Sequence, residues 1–85
     1  MKEELKILKA LADETRLKIV EFLLNGEKCV CEIFPHVKRT QSTVSIQLNI
    51  LEKAGIIKSR RDGKWVYYKP ADKKALEILR LLGIK

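Results

Sequence analysis

The chain has 85 residues, 46% of them hydrophobic and 34% charged, with two cysteines and a formal net charge of +7. That length makes one small domain, which buries a modest share of its surface, so support from a partner subunit is expected. No run of about 18 apolar residues is present, which excludes a helical membrane span; Glu3 and Glu4 interrupt the stretch a secretory leader needs apolar, so the cytoplasm is expected.

Leu5, Ile7, Leu8 and Leu11 recur at helical spacing among lysines and glutamates, which predicts a short amphipathic helix over about 3–11. Asp13 is a good N-cap for a second helix, running to about Asn25 and closed by Asn25-Gly26. Leu17, Val20 and Leu24, with Ile19, Phe22 and Leu23 beside them, give it a wide apolar face. It is expected at the centre of the core. Glu27 to Val30 can form one short strand against the edge of a later hairpin. A third helix is expected over about Cys31 to Val37, short or distorted because Pro35 lies inside it.

Lys38-Arg39 then turns the chain into a fourth helix, capped by Thr40. Val44, Leu48 and Leu51 make its apolar stripe, and Gly55 ends it. Ile56 to Arg61 and Trp65 to Tyr68 read as two strands, joined by Asp62-Gly63 as the central pair of a type I′ turn. Trp65 and Tyr67 share one strand face, Val66 and Tyr68 the other. Core packing is expected of these aromatics ahead of base stacking. Asp72 opens a last helix carrying Leu76, Ile78, Leu79, Leu81 and Leu82, more large apolar side chains than one face of a small domain needs.

The fold class is therefore mainly α with a small β-hairpin wing. It is a winged helix-turn-helix of about five helices, in the order helix, helix, short strand, helix, helix, strand, strand, helix. Residues 1–85 form a single domain, with the helix-turn-helix over 31–54 and the wing over 56–69.

The charge follows this plan. Residues 38–69 hold eight basic and two acidic groups, whereas residues 1–37 hold six basic and seven acidic. A local basic surface attracts a polyanion, and its place on a helix-turn-helix and wing points to double-stranded DNA. The first half of such a helix faces base edges in the major groove. Lys38, Arg39, Thr40, Gln41, Ser42, Thr43, Ser45, Ile46, Gln47 and Asn49 are the contact candidates. Gln can pair with adenine, and Ser or Thr with bases or phosphates. Ile46 either meets a thymine methyl or packs on Ile50. Arg60, Arg61 and Lys64, with Lys58 behind, suit phosphate or minor-groove contact. No catalytic constellation or phosphate-cradling loop is evident, so neither an enzyme nor a small-molecule substrate is expected. A metal carrier would leave the basic middle unexplained. A protein-interaction module would bind DNA weakly and without salt dependence.

Five segments in order resemble the ArsR/SmtB family of winged-helix repressors. They are Leu8 to Arg16 (LKALADETR), Glu27 to Ile33 (EKCVCEI), Gln41 to Ser45 (QSTVS), Leu51 to Ile57 (LEKAGII) and Arg61 to Tyr68 (RDGKWVYY). The resemblance implies a homodimer joined through its first and last helices, 1–12 and 71–85, on a palindromic operator. Two reading heads would then meet successive major grooves roughly 34 Å apart. Ile46 and Gln47 depart from the family, which commonly has Arg or His and then His there, so the operator is not carried over.

The resemblance also implies that Cys29 and Cys31 belong to a box binding As(III), Sb(III), Cd(II), Pb(II) or Zn(II), with weakened DNA affinity as the result. Here the box is incomplete. Phe34 stands where the arsenic type has a third Cys, residues 1–12 hold no Cys, and residues 71–85 hold no His. Zinc wants four ligands, and His36 beside Pro35 is the only imidazole. Three readings stay open for the pair: a soft-metal or metalloid sensor completed from outside the chain, a redox switch, or a structural remnant. His36 is either a turn residue or a ligand.

Overall fold

The computed structural model describes residues 1–84. Its elements are α1 (Lys2–Leu11), α2 (Glu14–Leu23), β1 (Lys28–Cys29), α3 (Val30–Val37), α4 (Gln41–Lys53), β2 (Ile57–Asp62), β3 (Trp65–Pro70) and α5 (Lys73–Leu81). The expected winged helix-turn-helix order is present.

Short polar side chains start the helices. Asp13 Oδ2 accepts from the backbone N–H of Arg16 at 3.0 Å, Thr40 Oγ1 from that of Thr43 at 3.2 Å, and Asp72 Oδ1 from that of Lys74 at 2.7 Å. Each satisfies an N–H that the first helical turn leaves free. Gly55 ends α4 at φ +78°, a left-handed conformation that suits glycine. Lys38 takes the corresponding conformation after α3, at φ +55°, and is the only non-glycine with positive φ among the described residues.

The core gathers around α2. Ile19, Val20 and Leu23 are buried with Ile7 and Leu11 of α1, Ile33 and Val37 of α3, Val44, Leu48 and Leu51 of α4, and Leu79 of α5. Each large side chain so buried contributes about 1.5–3 kcal/mol. No helix among the described residues is long and apolar enough to cross a membrane.

Three local expectations change. The early strand is only Lys28–Cys29, and it joins the wing in a three-stranded antiparallel sheet of order β1-β3-β2. Cys29 sits opposite Tyr67 in that sheet. The hairpin pairs Asp62 with Trp65, so the loop residues are Gly63 and Lys64, not Asp62 and Gly63. Only Gly63, the first of the two, has positive φ, the pattern of a II′ rather than a I′ turn. Of the wing aromatics, Tyr68 packs against the core, whereas Trp65 is exposed. Pro35 lies within α3, which runs on through it to Val37.

Candidate nucleic-acid interface

The turn between α3 and α4 holds Lys38 and Arg39, both exposed. Arg39 lies 4.0 Å from Glu14 at the surface, a weak pairing. Burial of Val44, Leu48 and Leu51 presses one side of α4 into the core, so its opposite side must face water. That side presents Gln41, Ser42, Ser45, Ile46 and Asn49, all exposed. Ile46 is 58% exposed, so no segment of its own chain covers it, and its side chain is free for an apolar contact. Thr40 and Thr43 are tied to each other at 2.9 Å through their hydroxyls, as part of the cap.

Two of the expected contact residues are engaged within the chain. Gln47 is half-buried, and its Oε1 accepts from Nη1 of Arg16 at 2.7 Å. Arg60 donates through Nε and Nη2 to both carboxylate oxygens of Glu27, at 2.9 and 2.8 Å. Its guanidinium also lies 4.5 Å from the Tyr67 ring centroid. The Arg60 bond holds the Glu27 carboxyl below its ordinary pKa. Arg60 therefore clamps β2 to the residue preceding β1. Arg61 and Lys64 are exposed at the tip, with Lys64 Nζ 5.3 Å from the Trp65 ring centroid. Ser59 Oγ donates to Glu52 Oε2 at 2.8 Å and ties the wing to the end of α4.

Sequence reasoning gave Arg16, Glu27 and Glu52 no part here. Their partners lie 31, 33 and 7 residues away, and only folding brings them together.

The cysteine pair sits where β1 becomes α3. Cys29 is buried and acts as the N-cap: its Sγ accepts from the backbone N–H of Cys31 at 3.3 Å, and its own N–H donates to Glu32 Oε1 at 2.9 Å. Cys31 is exposed. Its thiol is pushed above its ordinary pKa, first by its hydrogen bond to Cys29, then by desolvation and the charges of Cys29 and Glu32. A raised pKa favours the neutral thiol over the thiolate that reacts or binds metal. Two neighbouring sulfurs make a soft donor pair. Among the described residues, however, no group of three His, Cys, Asp or Glu side chains could hold an ion. His36 stacks on Phe22 with centroids 3.8 Å apart. The pair alone thus does not fit a resident metal.

A second exposed feature lies on α1 and α5. Leu8 of α1 and Leu82 after α5 are 52% and 68% exposed, and Leu81 is 87% exposed. A groove between α1 and α5 is lined by Leu8, Leu11, Leu17, Ile78 and Leu82. An apolar face of this kind on so small a domain marks an interaction surface.

Comparison with known proteins agrees with this plan. Residues 13–59 match the model of the bacterial regulatory protein family arsR. An uncharacterized HTH-type transcriptional regulator of Methanocaldococcus jannaschii is 46% identical over 78 residues, covering 91% of this chain and 88% of that protein. A cadmium resistance transcriptional regulatory protein, a CadC homolog of Staphylococcus aureus, is 40% identical over 75 residues, or 87% of this chain and 62% of that protein. This chain thus spans about three fifths of the cadmium regulator's length. Among solved structures, the homodimeric winged helix-turn-helix DNA-binding domain of a possible ArsR-family regulator from Mycobacterium bovis superposes with TM-score 0.88 at 29% identity. That match covers 98% of this chain and 77% of the other.

Proposed function

The chain belongs to the ArsR family of bacterial regulatory proteins, whose members are transcriptional regulators and not enzymes, and from that premise we propose that it acts as a homodimeric repressor on a palindromic DNA operator. The observation that carries this reading is the polar face of α4, which stands clear of the core, together with the exposed Arg61 and Lys64 of the wing. Gln41, Ser42, Ser45 and Asn49 read base edges, and Ile46 meets a thymine methyl. Thr40 and Thr43 fix the helix start. Lys38, Arg39, Arg61 and Lys64 hold phosphates. The leucine groove of α1 and α5 is the dimer face, supported by the homodimer described for the Mycobacterium bovis domain. The working compartment is the cytoplasm.

In this reading the inducing signal enters at Cys29 and Cys31, as a soft ion such as As(III), Sb(III), Cd(II) or Zn(II), or as thiol oxidation. The name of the cadmium regulator supports the first, and the adjacency of the two sulfurs is compatible with either. The further ligands an ion needs come from the partner chain or small thiols.

The test is a titration of reduced protein on DNA from upstream of its own reading frame, over a salt series, with and without As(III), Cd(II) or Zn(II). About six phosphate contacts give a log–log salt slope of about −5. Release of DNA by an ion, abolished in Cys29→Ser with Cys31→Ser, establishes the sensor. Binding that no ion affects and oxidants release establishes the redox reading. Binding without salt dependence rejects the repressor.

A further inference from the structure

The dimer face lies on α1 and α5, the reading face on α4, and one side chain of α2 joins α1 to α4. Arg16 Nε donates to the carbonyl of Ala10 at 2.6 Å, while Nη1 donates to Gln47 Oε1 at 2.7 Å. Ala10 stands in the last turn of α1, where carbonyls lack helical partners and a cation is favoured. The end of α1 therefore fixes the guanidinium, and its rigid fork carries that placement to α4. Asp13, bonded to the backbone N–H of Arg16, holds the base of the side chain.

Core packing joins α1 and α4 as well, with Ile7 and Leu11 in one buried cluster with Leu48 and Leu51, and the tie adds a directional bond to that contact. Next to the tie a cavity of about 370 Å³ opens between α1 and α4, with Lys9, Ala10, Ile50 and Ala54 in its wall beside Arg16. Gln47 is the seventh residue of α4, so the helix start lies about 9 Å away at 1.5 Å per residue. A tilt of about 10° at the tie moves that start by about 1.5 Å, roughly half the rise of one base pair.

We propose that Arg16 and Gln47 are a positioning pair that locks the reading helix to the dimerisation helix and so sets the separation of the two reading faces. Gln47 is then a positioning residue and not a base contact. The inference rests on the dimeric DNA-binding reading only for its consequence; the tie itself is testable without DNA.

Spin labels at Lys2→Cys and Asn49→Cys, in a Cys29→Ser, Cys31→Ser background, report the distance between α1 and α4. Diluting labelled chains into unlabelled ones reads this distance within one chain. Gln47→Ala and Arg16→Lys should broaden the distance distribution, and Gln47→Glu, which keeps an acceptor on Arg16, should leave it narrow. An unchanged width in Gln47→Ala overturns the tie. Affinity is then measured over operators whose half-sites are moved apart one base pair at a time, and on a single half-site. Gln47→Ala should lose about tenfold at the best spacing and flatten the spacing dependence, with half-site affinity as in the parent. An equal loss on the half-site overturns the proposal, because it makes Gln47 a DNA contact. A parent that binds no DNA rejects the repressor reading, and the distance measurement still decides the tie.

Discussion

The fourth helix and the wing differ in charge and in build: Gln41–Lys53 holds one basic and one acidic group, whereas residues 56–69 hold five basic and one acidic. α4 is anchored along its length by Val44, Leu48 and Leu51, each at most 2% exposed. In β2 only Ile57 is buried, and every residue from Lys58 to Trp65 at the hairpin tip is exposed. A base edge is read by donors and acceptors held to within a fraction of an ångström, which needs a packed helix. A phosphate is met by a cation that can follow it, which a sparsely packed hairpin allows. The wing is nevertheless not loose at its base, where the fork from Arg60 to Glu27 and the bond from Ser59 to Glu52 hold it.

The sharpest way to break the contrast is to empty the core beneath α4. Leu51→Ala should cost about 2–5 kcal/mol in chemical denaturation, while Trp65→Ala at the tip should stay within about 0.5 kcal/mol. Similar costs at the two positions would erase the distinction. Next in size, Gln41→Ala or Ser45→Ala should cost about 1–3 kcal/mol on the preferred operator and almost nothing on random DNA, as read by competition binding. Thr40→Ala removes the α4 cap and should cost about 1 kcal/mol of stability. Arg61→Ala should weaken binding equally across sequences and reduce the salt slope by about 0.9; an unchanged slope would argue against a phosphate role.

The smallest effect concerns the base of the wing. The Glu27 carboxyl lies below its ordinary value because Arg60 bonds its charged form. A depressed folded pKa means the tie is fully present above the unfolded carboxylate value and is lost as pH falls through the folded one. Carbon-13 titration of the Glu27 carboxyl should show this lowered midpoint, and Arg60→Met should return it to the ordinary range. A midpoint that does not move on that substitution would show that Arg60 is not its cause.

The elements were legible because their signals are local. The caps Asp13, Thr40 and Asp72, the stripe Val44, Leu48, Leu51 and the ending Gly55 all act within one or two turns of themselves. The hairpin was legible too, but its turn was misplaced by one residue. Asp62-Gly63 and Gly63-Lys64 both offer a glycine, and the register is chosen by strand pairing from Ile57 opposite Pro70 to Asp62 opposite Trp65. Trp65 looked like core by residue type. It is exposed because it sits at the far end of a hairpin that reaches past the core.

Chain order, apolar period and charge were enough to establish a winged helix-turn-helix with a basic reading head, and to name which helix faces outward. They could not say which of its polar side chains are free. Arg60 and Arg61 are neighbours of one type, but Glu27 holds the first and no ion pair among the described residues holds the second. Gln47 lies two residues after Ser45, yet it is turned to Arg16 while Ser45 faces water. Local structure follows from interactions a few residues long, which a sequence displays. The availability of a side chain follows from partners about 30 residues away, which become neighbours only when the core closes.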